Sequence, residues 1–160
     1  METTEHEQLS ASLEDYLEAI FNLLSAKSAA RSKDIAEHLG VTRASVTGAL
    51  RALAQKGLID YEPYGVVRLT EEGGRLARRV VRRHQVLHSF FTEVLGLEEG
   101  LSQEAACRAE HTLGSEVIER LVVFIEFLNR CSFEGKDWTA EFRKFRLQEQ
   151  KQKTQKAEEQ

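Results

Sequence analysis

The stretch ARSKDIAEHLGVTRASVTGALRALAQKGLI, residues 30–59, carries the local signals of two short helices joined by a tight turn. Ser32 and Thr42 each precede an apolar periodic segment and can cap a helix through their hydroxyl groups. Gly40 permits the positive φ of a tight turn, and Gly57 can end the second helix. The side chains predicted to be buried are Ile35, Ala36, Leu39, Val46, Leu50 and Leu53. Two such helices form a helix-turn-helix.

The next segment predicts a β-hairpin. Residues 58–61 and 66–69 are short β-prone runs, and the sequence EPYG between them has the proline and glycine of a tight turn. A hairpin directly after a helix-turn-helix is the wing of a winged-helix domain. A helix-turn-helix pattern alone is weak evidence, because helical hairpins are common. Together with the wing and the local charge, it favours DNA binding over a purely structural role.

Charge is distributed unevenly along the chain. Residues 27–83 contain 12 Lys and Arg against 6 Asp and Glu, a net charge of +6. The remaining residues contain 10 against 20, a net charge of −10, and the whole chain has a formal charge of −4. A basic segment in an acidic chain predicts that one part contacts a polyanion while the other part has a different task.

The composition is that of a globular protein, with 41% hydrophobic and 30% charged residues, and its single proline indicates a mainly helical chain. No apolar run approaches the roughly 20 residues that span a bilayer. The acidic start METTEHEQLSASLEDYLEAIF lacks the order of a signal peptide. We therefore expect a cytoplasmic protein without membrane association. Two cysteines are too few for a disulfide framework, and we expect Cys131 to be structural.

Helical periodicity predicts further helices on both sides of the helix-turn-helix. A first amphipathic helix is expected over about residues 10–26 and a long one over about residues 70–95. The apolar stripe predicted for the long helix comprises Ala77, Val81, His84, His88, Phe91 and Leu95. Gly96 and Gly100 are expected to break the chain before a helix that runs to about residue 113.

The helix that starts at Ser115 has an apolar face that is broad for a small domain and suggests a partner subunit. Its inward positions are predicted to be Ile118, Leu121, Val122, Ile125 and Leu128. The fold class expected is mainly α with a small β-hairpin wing. A winged-helix DNA-binding domain is expected over residues 1–73, a helical domain over 74–147, and a disordered polar tail over 148–160.

A second stretch, EAACRAEHTLGSEVIERL at residues 104–121, gathers metal-competent side chains. Cys107, Glu110 and His111 stand at i, i+3 and i+4 and are expected to project inward from one helical face. Burying the Glu110 carboxylate without a partner would cost several kcal/mol. Taken alone, Cys107 is more often a small buried hydrophobe.

Two other helices also present candidate ligands. His84 lies on the stripe of the long helix, where a core histidine is the ordinary alternative. Asp15 and Glu18 form an i, i+3 pair on the first helix, and the alternative there is a pair that faces water and is favoured by the helix dipole. A divalent cation would explain why three distant helices offer carboxylate, thiolate and imidazole groups.

Four segments in this order resemble the DtxR/MntR family of metal-dependent transcriptional repressors. They are SLEDYLEAIFNLL, the helix-turn-helix with its wing, RRHQVLHSFF, and EAACRAEHTLGSEVIERL, and the likeness covers about residues 13–128. The resemblance implies a homodimer with an N-terminal winged helix, a helical metal-binding and dimerisation domain, and metal at their junction. It is closest to the short form without an SH3-like domain. The ligands that it implies are Asp15, Glu18, His84, Cys107, Glu110 and His111.

These residues mix the two branches of the family. Asp15 and Glu18 match the manganese branch, while Cys107 matches the iron branch. Oxygen ligands favour Mn(II), and a thiolate shifts the preference towards Fe(II), Co(II) or Zn(II). The resemblance therefore implies Fe(II) or Mn(II), with Zn(II), Co(II) or Ni(II) as surrogates. His88 is either a seventh ligand or a core residue.

The function expected is a metal-dependent repressor that controls metal-homeostasis genes, binds a double-stranded DNA operator, and has no enzymatic activity. The DNA-contacting residues predicted are Ser32, Lys33, Thr42, Arg43, Ser45, Thr47, Arg51 and Arg68, with Arg31 beside them. One alternative is a winged-helix regulator that responds to oxidants through Cys107 or to a small ligand. A metallohydrolase is disfavoured, because neither a His-Glu-x-x-His motif nor a nucleophile beside a base is present.

Overall fold

The computed structural model describes residues 9–27, 29–62, 65–131 and 137–158. Their helices are α1 (Ala11–Lys27), α2 (Ser32–Leu39), α3 (Arg43–Gln55), α4 (Glu71–Ser89), α5 (Glu99–Glu110), α6 (Ser115–Cys131) and α7 (Trp138–Glu158). A π-helical turn, Phe90–Val94, follows α4, and strands β1 (Ile59–Asp60) and β2 (Arg68–Leu69) form an antiparallel pair. Within these described ranges, no helix is both long and apolar enough to cross a membrane.

The chain divides into two compact units, Met1–Arg82 and Arg83–Gln160. The division falls within α4, further along the chain than the domain boundary predicted between residues 73 and 74. The first unit contains α1, α2, α3 and the wing, and the second contains α5, α6, the π-helical turn and α7.

The core of the first unit is formed by the three N-terminal helices and the wing. The fully buried side chains at its centre include Leu17, Ile20, Ile35, Val46, Leu50 and Leu53. Each such aliphatic side chain contributes about 1.5–3 kcal/mol relative to its exposed state. The inward positions predicted for the helix-turn-helix are confirmed, with Leu39 half-buried at the edge.

The turn and caps of the helix-turn-helix follow the local sequence. Gly40 has φ 65° and Gly57 has φ 69°, the left-handed region that glycine adopts without a steric penalty. The Thr42 hydroxyl accepts a hydrogen bond from the Ser45 amide at 3.2 Å and caps α3. The predicted cap at Ser32 is wrong by one residue: the Ile35 amide bonds to the Arg31 carbonyl at 3.0 Å, so α2 already includes Ser32.

The wing is present but shorter than predicted. Ile59 pairs with Leu69 and Asp60 with Arg68, and the Val67 amide donates to the Ala30 carbonyl at 2.8 Å. This last bond ties the wing to the segment that precedes α2. The turn predicted at EPYG depends on residues 63 and 64, which lie outside the described residues.

The start of α4 is held against the end of α3. The Thr70 amide donates to the Leu58 carbonyl at 3.1 Å, and the Thr70 hydroxyl donates to the Gly57 carbonyl at 2.8 Å. The same hydroxyl accepts from the Gly73 amide at 3.0 Å. Gly73 packs so closely that a β-carbon there would lie 1.8 Å from the Leu58 carbonyl oxygen. Glycine at this position is therefore a steric requirement.

The long helix differs from its prediction in its last turn and in its buried face. A regular α-helix was predicted to residue 95, but residues Phe90–Val94 form a π-helical turn. The Thr92 hydroxyl donates to the His88 carbonyl at 2.8 Å, so it competes with the backbone hydrogen bonds of a regular α-helix. The most buried residues are Ala77, Val80, Leu87 and Val94. Of the residues in the predicted stripe, only Ala77 is among these buried residues, and the others are half-buried. The observed buried face is therefore rotated by about one residue relative to the predicted face.

Helix α5 begins earlier and ends earlier than predicted. Gly96, with φ 63°, breaks the chain, whereas Gly100 lies inside the first turn of α5. The Glu98 carboxylate caps this helix by accepting from the Gly100 and Leu101 amides at 3.0 and 3.3 Å. These two hydrogen bonds hold the pKa of the Glu98 carboxyl below its usual value. The helix ends at Glu110, three residues before the predicted end.

Helix α6 begins at Ser115 as predicted, with Ile118 and Leu128 buried and the other three predicted inward positions half-buried. It also exposes apolar side chains, namely Val117, Val123, Phe124 and Phe127.

Helix α7 continues to Glu158, so residues 148–158 are helical where a disordered tail was expected. Glu, Gln and Lys favour helix even without an apolar face. The Arg143 and Arg146 guanidinium groups bond to the Glu93 and Leu95 carbonyls at 2.9 and 2.8 Å, which caps the end of the π-helical turn.

Candidate metal centre and nucleic-acid interface

The centre of the candidate metal site is Glu110, whose side chain is completely buried at the end of α5. Its Oε2 lies 2.6 Å from His84 Nδ1 on α4, and its Oε1 lies 3.3 Å from His111 Nε2. The His84 and His111 side chains are only 13% and 12% exposed. Three of the predicted ligands are thus brought together within the second unit.

One oxygen of this carboxylate shows that the cluster fits a cation. Although His111 is within ion-pair distance, Glu110 Oε1 accepts no hydrogen bond from any described residue. A buried carboxylate oxygen without a hydrogen bond is costly, and coordination to a metal would satisfy it. Imidazole nitrogen and carboxylate oxygen are donors that Fe(II), Mn(II) and Zn(II) accept. The residues present therefore fit a divalent transition metal.

Cys107 lies one turn before Glu110, and its Sγ is within 4.8 Å of a Glu110 carboxylate oxygen. Cys107 is nevertheless exposed, so the prediction that all three residues of the motif face inward is wrong for this one. The buried face of α5 is defined by Ser102, Ala106 and Glu110, and a residue directly after Ala106 is rotated about 100° from that face.

His88 is half-buried, and its ring stacks on that of His84 with centroids 6.3 Å apart. His88 Nε2 lies 3.0 Å from Glu99 Oε1, and His84 Nε2 lies 3.2 Å from Gln103 Oε1. Glu99 and Gln103 were not predicted from the sequence as part of this cluster. Their spacing from Glu110, eleven and seven residues, places them on the same side of α5 and could have revealed them.

Asp15 and Glu18 lie one turn apart on α1 in the first unit, and both are half-buried. Cys131 is the last residue of α6, and its side chain is outside the described part of the chain.

The predicted DNA-contacting residues all belong to the first unit. Lys33, Arg43, Arg51 and Arg68 are exposed on α2, α3 and the wing. The hydroxyl groups have local partners: Thr42 and Ser45 are hydrogen-bonded to each other at 2.9 Å, and Thr47 donates to the Arg43 carbonyl at 2.9 Å. The Thr42 and Ser45 hydroxyls therefore also belong to the N-terminal cap of α3.

A winged helix together with a buried imidazole and carboxylate cluster is the combination expected of a metal-sensing, DNA-binding transcriptional repressor. The sequence matches the iron dependent repressor N-terminal DNA binding domain over residues 8–67 and the iron dependent repressor metal binding and dimerisation domain over residues 70–139. The chain belongs to the iron-dependent repressor family, which confirms the predicted family resemblance.

Individual relatives agree with this assignment. An uncharacterized HTH-type transcriptional regulator of Methanocaldococcus jannaschii is 35% identical over 119 residues, which cover 74% of this chain and 95% of that protein. The HTH-type transcriptional regulator MntR of Lysinibacillus sphaericus is 34% identical over 117 residues, which cover 73% of this chain and 84% of that protein.

Among solved structures, a manganese-dependent transcriptional repressor in complex with manganese has a TM-score of 0.66 and 30% identity over 72% of this chain. The match covers 53% of that protein, so the chain corresponds to about half of its length. The predicted fold class, mainly α with a hairpin wing, is confirmed.

Proposed function

We propose that this protein represses metal-homeostasis genes in the cytoplasm by binding a DNA operator as a homodimer when Fe(II) or Mn(II) is bound. The observation that carries the proposal is the buried Glu110 carboxylate between His84 and His111. A structural role alone does not require two imidazoles and a carboxylate in one buried cluster. We propose no catalytic activity for this centre.

The proposed ligands are Asp15, Glu18, His84, Cys107, Glu110 and His111, with His88 as a further candidate. Glu110 and the two histidines rest on their mutual distances in the second unit. Asp15 and Glu18 rest on the family resemblance and on their i, i+3 spacing on α1. The mixed thiolate and carboxylate set is compatible with both Fe(II) and Mn(II), and with Zn(II), Co(II) or Ni(II) as surrogates.

When bound, a divalent cation supplies the positive charge that a set of three carboxylates lacks. Without the cation, electrostatic repulsion among the Asp15, Glu18 and Glu110 carboxylates opposes any arrangement that brings them together. Because α1 belongs to the unit that carries the recognition helix α3, a shared centre would restrict the orientation of α3 in a dimer. Such a restriction favours DNA binding only if the two α3 helices of the dimer can then contact both half-sites of the operator, about 34 Å apart, at the same time.

The DNA-contacting residues proposed are Ser32, Lys33, Thr42, Arg43, Ser45, Thr47, Arg51 and Arg68. Arg43 is exposed on the first turn of the recognition helix, and an arginine at that position can hydrogen-bond to base edges in the major groove. Lys33 and Arg68 lie on α2 and on the wing, where contacts with phosphates are expected.

Metal dependence is the direct test. DNA duplexes selected from a random pool in the presence of Mn(II) should be bound about 10–100-fold more tightly by the metal-loaded protein than by protein in excess chelator. Fluorescence anisotropy with Mn(II), and anaerobically with Fe(II), measures this ratio and ranks the two ions. Equal affinity with and without chelator would instead favour an oxidant sensor or a small-ligand sensor.

The two kinds of DNA contact can be separated by mutation. Arg43→Ala should cost about 1–3 kcal/mol on the selected duplex and alter sequence preference, because it removes a base contact. Lys33→Ala should weaken all duplexes alike and reduce the slope of log K against log salt by about 1. Salt titrations on selected and scrambled duplexes measure both effects. If the two variants behave alike on both duplexes, the assigned roles are wrong.

A further inference from the structure

Gly48 lies near the middle of the recognition helix α3, where glycine is unfavourable. In a helix interior only proline is a worse choice, because glycine loses the most backbone freedom on folding. The structure gives no internal reason for it: Gly48 has no positive φ, and a β-carbon at this position would meet no described atom within 4 Å. Neither the backbone conformation nor packing against the residues that the structure describes requires glycine at this position.

The position of Gly48 on α3 is opposite the core. Val46, Leu50 and Leu53 are fully buried, and Gly48 is roughly 200° around the helix from Val46. Ala44, one turn earlier, is also exposed and carries only a methyl group. The outermost ridge of α3 is therefore almost bare backbone over one turn.

The charge around this ridge indicates what approaches it. Arg51 is exposed about 60° around the helix axis from Gly48, Arg43 is exposed on the first turn next to Ala44, and neither makes an ion pair within the described chain. In addition, α3 has no acidic residue. A surface with unpaired guanidinium groups beside bare backbone suits the base edges and phosphates of a DNA duplex.

We propose that Gly48 is a specificity-determining residue, whose missing side chain lets the α3 backbone lie against the floor of the major groove. The inference rests on the proposed function, since it assumes that α3 enters DNA. A helix with its side chains is about 10–12 Å wide, close to the roughly 12 Å width of the groove, so one absent side chain changes how deeply it enters. Deeper entry brings the side chains beside Gly48 within reach of base edges.

Opposite effects on stability and DNA binding test the proposal. Gly48→Ala should raise the Tm by about 2–4 °C, because alanine restores helix propensity without a clash. The same variant should weaken binding to the selected duplex about ten-fold, and Gly48→Leu about 100-fold. Binding to a scrambled duplex should change by less than about three-fold, since phosphate contacts dominate there. Thermal unfolding and anisotropy measure the two quantities on the full chain with Mn(II).

Gln55→Leu is the matched control, because Gln55 is exposed on the same side of α3 at its C-terminal end. It should leave the affinity for the selected duplex within about two-fold, since the N-terminal part of a recognition helix contacts the bases. Wild-type affinity in Gly48→Leu, or an equal loss in Gln55→Leu, would overturn the proposal. If wild-type protein with metal selects no DNA sequence at all, the proposed function itself fails.

Discussion

Replacing Glu110 with glutamine is expected to abolish metal-activated DNA binding while the protein remains folded. Glutamine has nearly the same volume, so the buried position on α5 stays filled. It replaces one carboxylate oxygen by an NH2 group, which cannot coordinate a cation and carries no charge. Loss of a partner that merely orients a ligand costs about 10–100-fold in metal affinity, and we expect the loss of Glu110 to cost at least about 100-fold.

The measurement is a calorimetric titration with Mn(II) and Co(II), followed by anisotropy on the selected duplex. Glu104→Gln is the control, since Glu104 is an exposed carboxylate on the same helix whose nearest cation, Arg108, lies at 3.6 Å on the surface. Such an exposed pair contributes about 0–1 kcal/mol and should not affect metal binding. Retention of wild-type metal activation in Glu110→Gln would rule out Glu110 as a ligand.

Replacing Gly73 with alanine is expected to destabilise the protein by about 3 kcal/mol or more. The new β-carbon would lie 1.8 Å from the Leu58 carbonyl oxygen and 2.8 Å from its carbonyl carbon. Both atoms belong to the backbone, so no side-chain rotation can relieve the clash. The bonds from Thr70 to the Gly57 and Leu58 carbonyls must be stretched or broken instead.

The neighbouring glycine is the control for this substitution. Among the described residues, a β-carbon at Gly74 would meet only the Arg78 guanidinium, at 3.5 Å, which is ordinary contact with a flexible group. Gly74→Ala should therefore be neutral or stabilise the protein by up to about 1 kcal/mol through helix propensity. Urea unfolding measures both variants. A Gly73→Ala protein as stable as wild type would show that the start of α4 is not packed against Leu58 as observed.

The helix-turn-helix could be read from the sequence because its signals are local. The Gly40 turn, the Thr42 cap and the Gly57 stop each depend on groups within a few residues along the chain. Cys107, Glu110 and His111 were predicted as ligands for the same reason, since thiol, carboxylate and imidazole stand at helical spacing in one segment. The full set of six ligands was implied only by the family resemblance. The Ser32 cap was misplaced because one additional backbone bond extends α2.

What the sequence alone determined is therefore the helices from α1 to α6, the hairpin, the basic segment and the chemistry of the donors. Only the tertiary structure decided which face of each helix is buried, as the shift to Val80 and Leu87 and the exposure of Cys107 show. It also decided the pairing of His84 with Glu110, 26 residues apart, and the contact of Gly73 with Leu58. Periodicity specifies the spacing of side chains along a helix. The neighbour that each face meets depends on chain segments far away in the sequence.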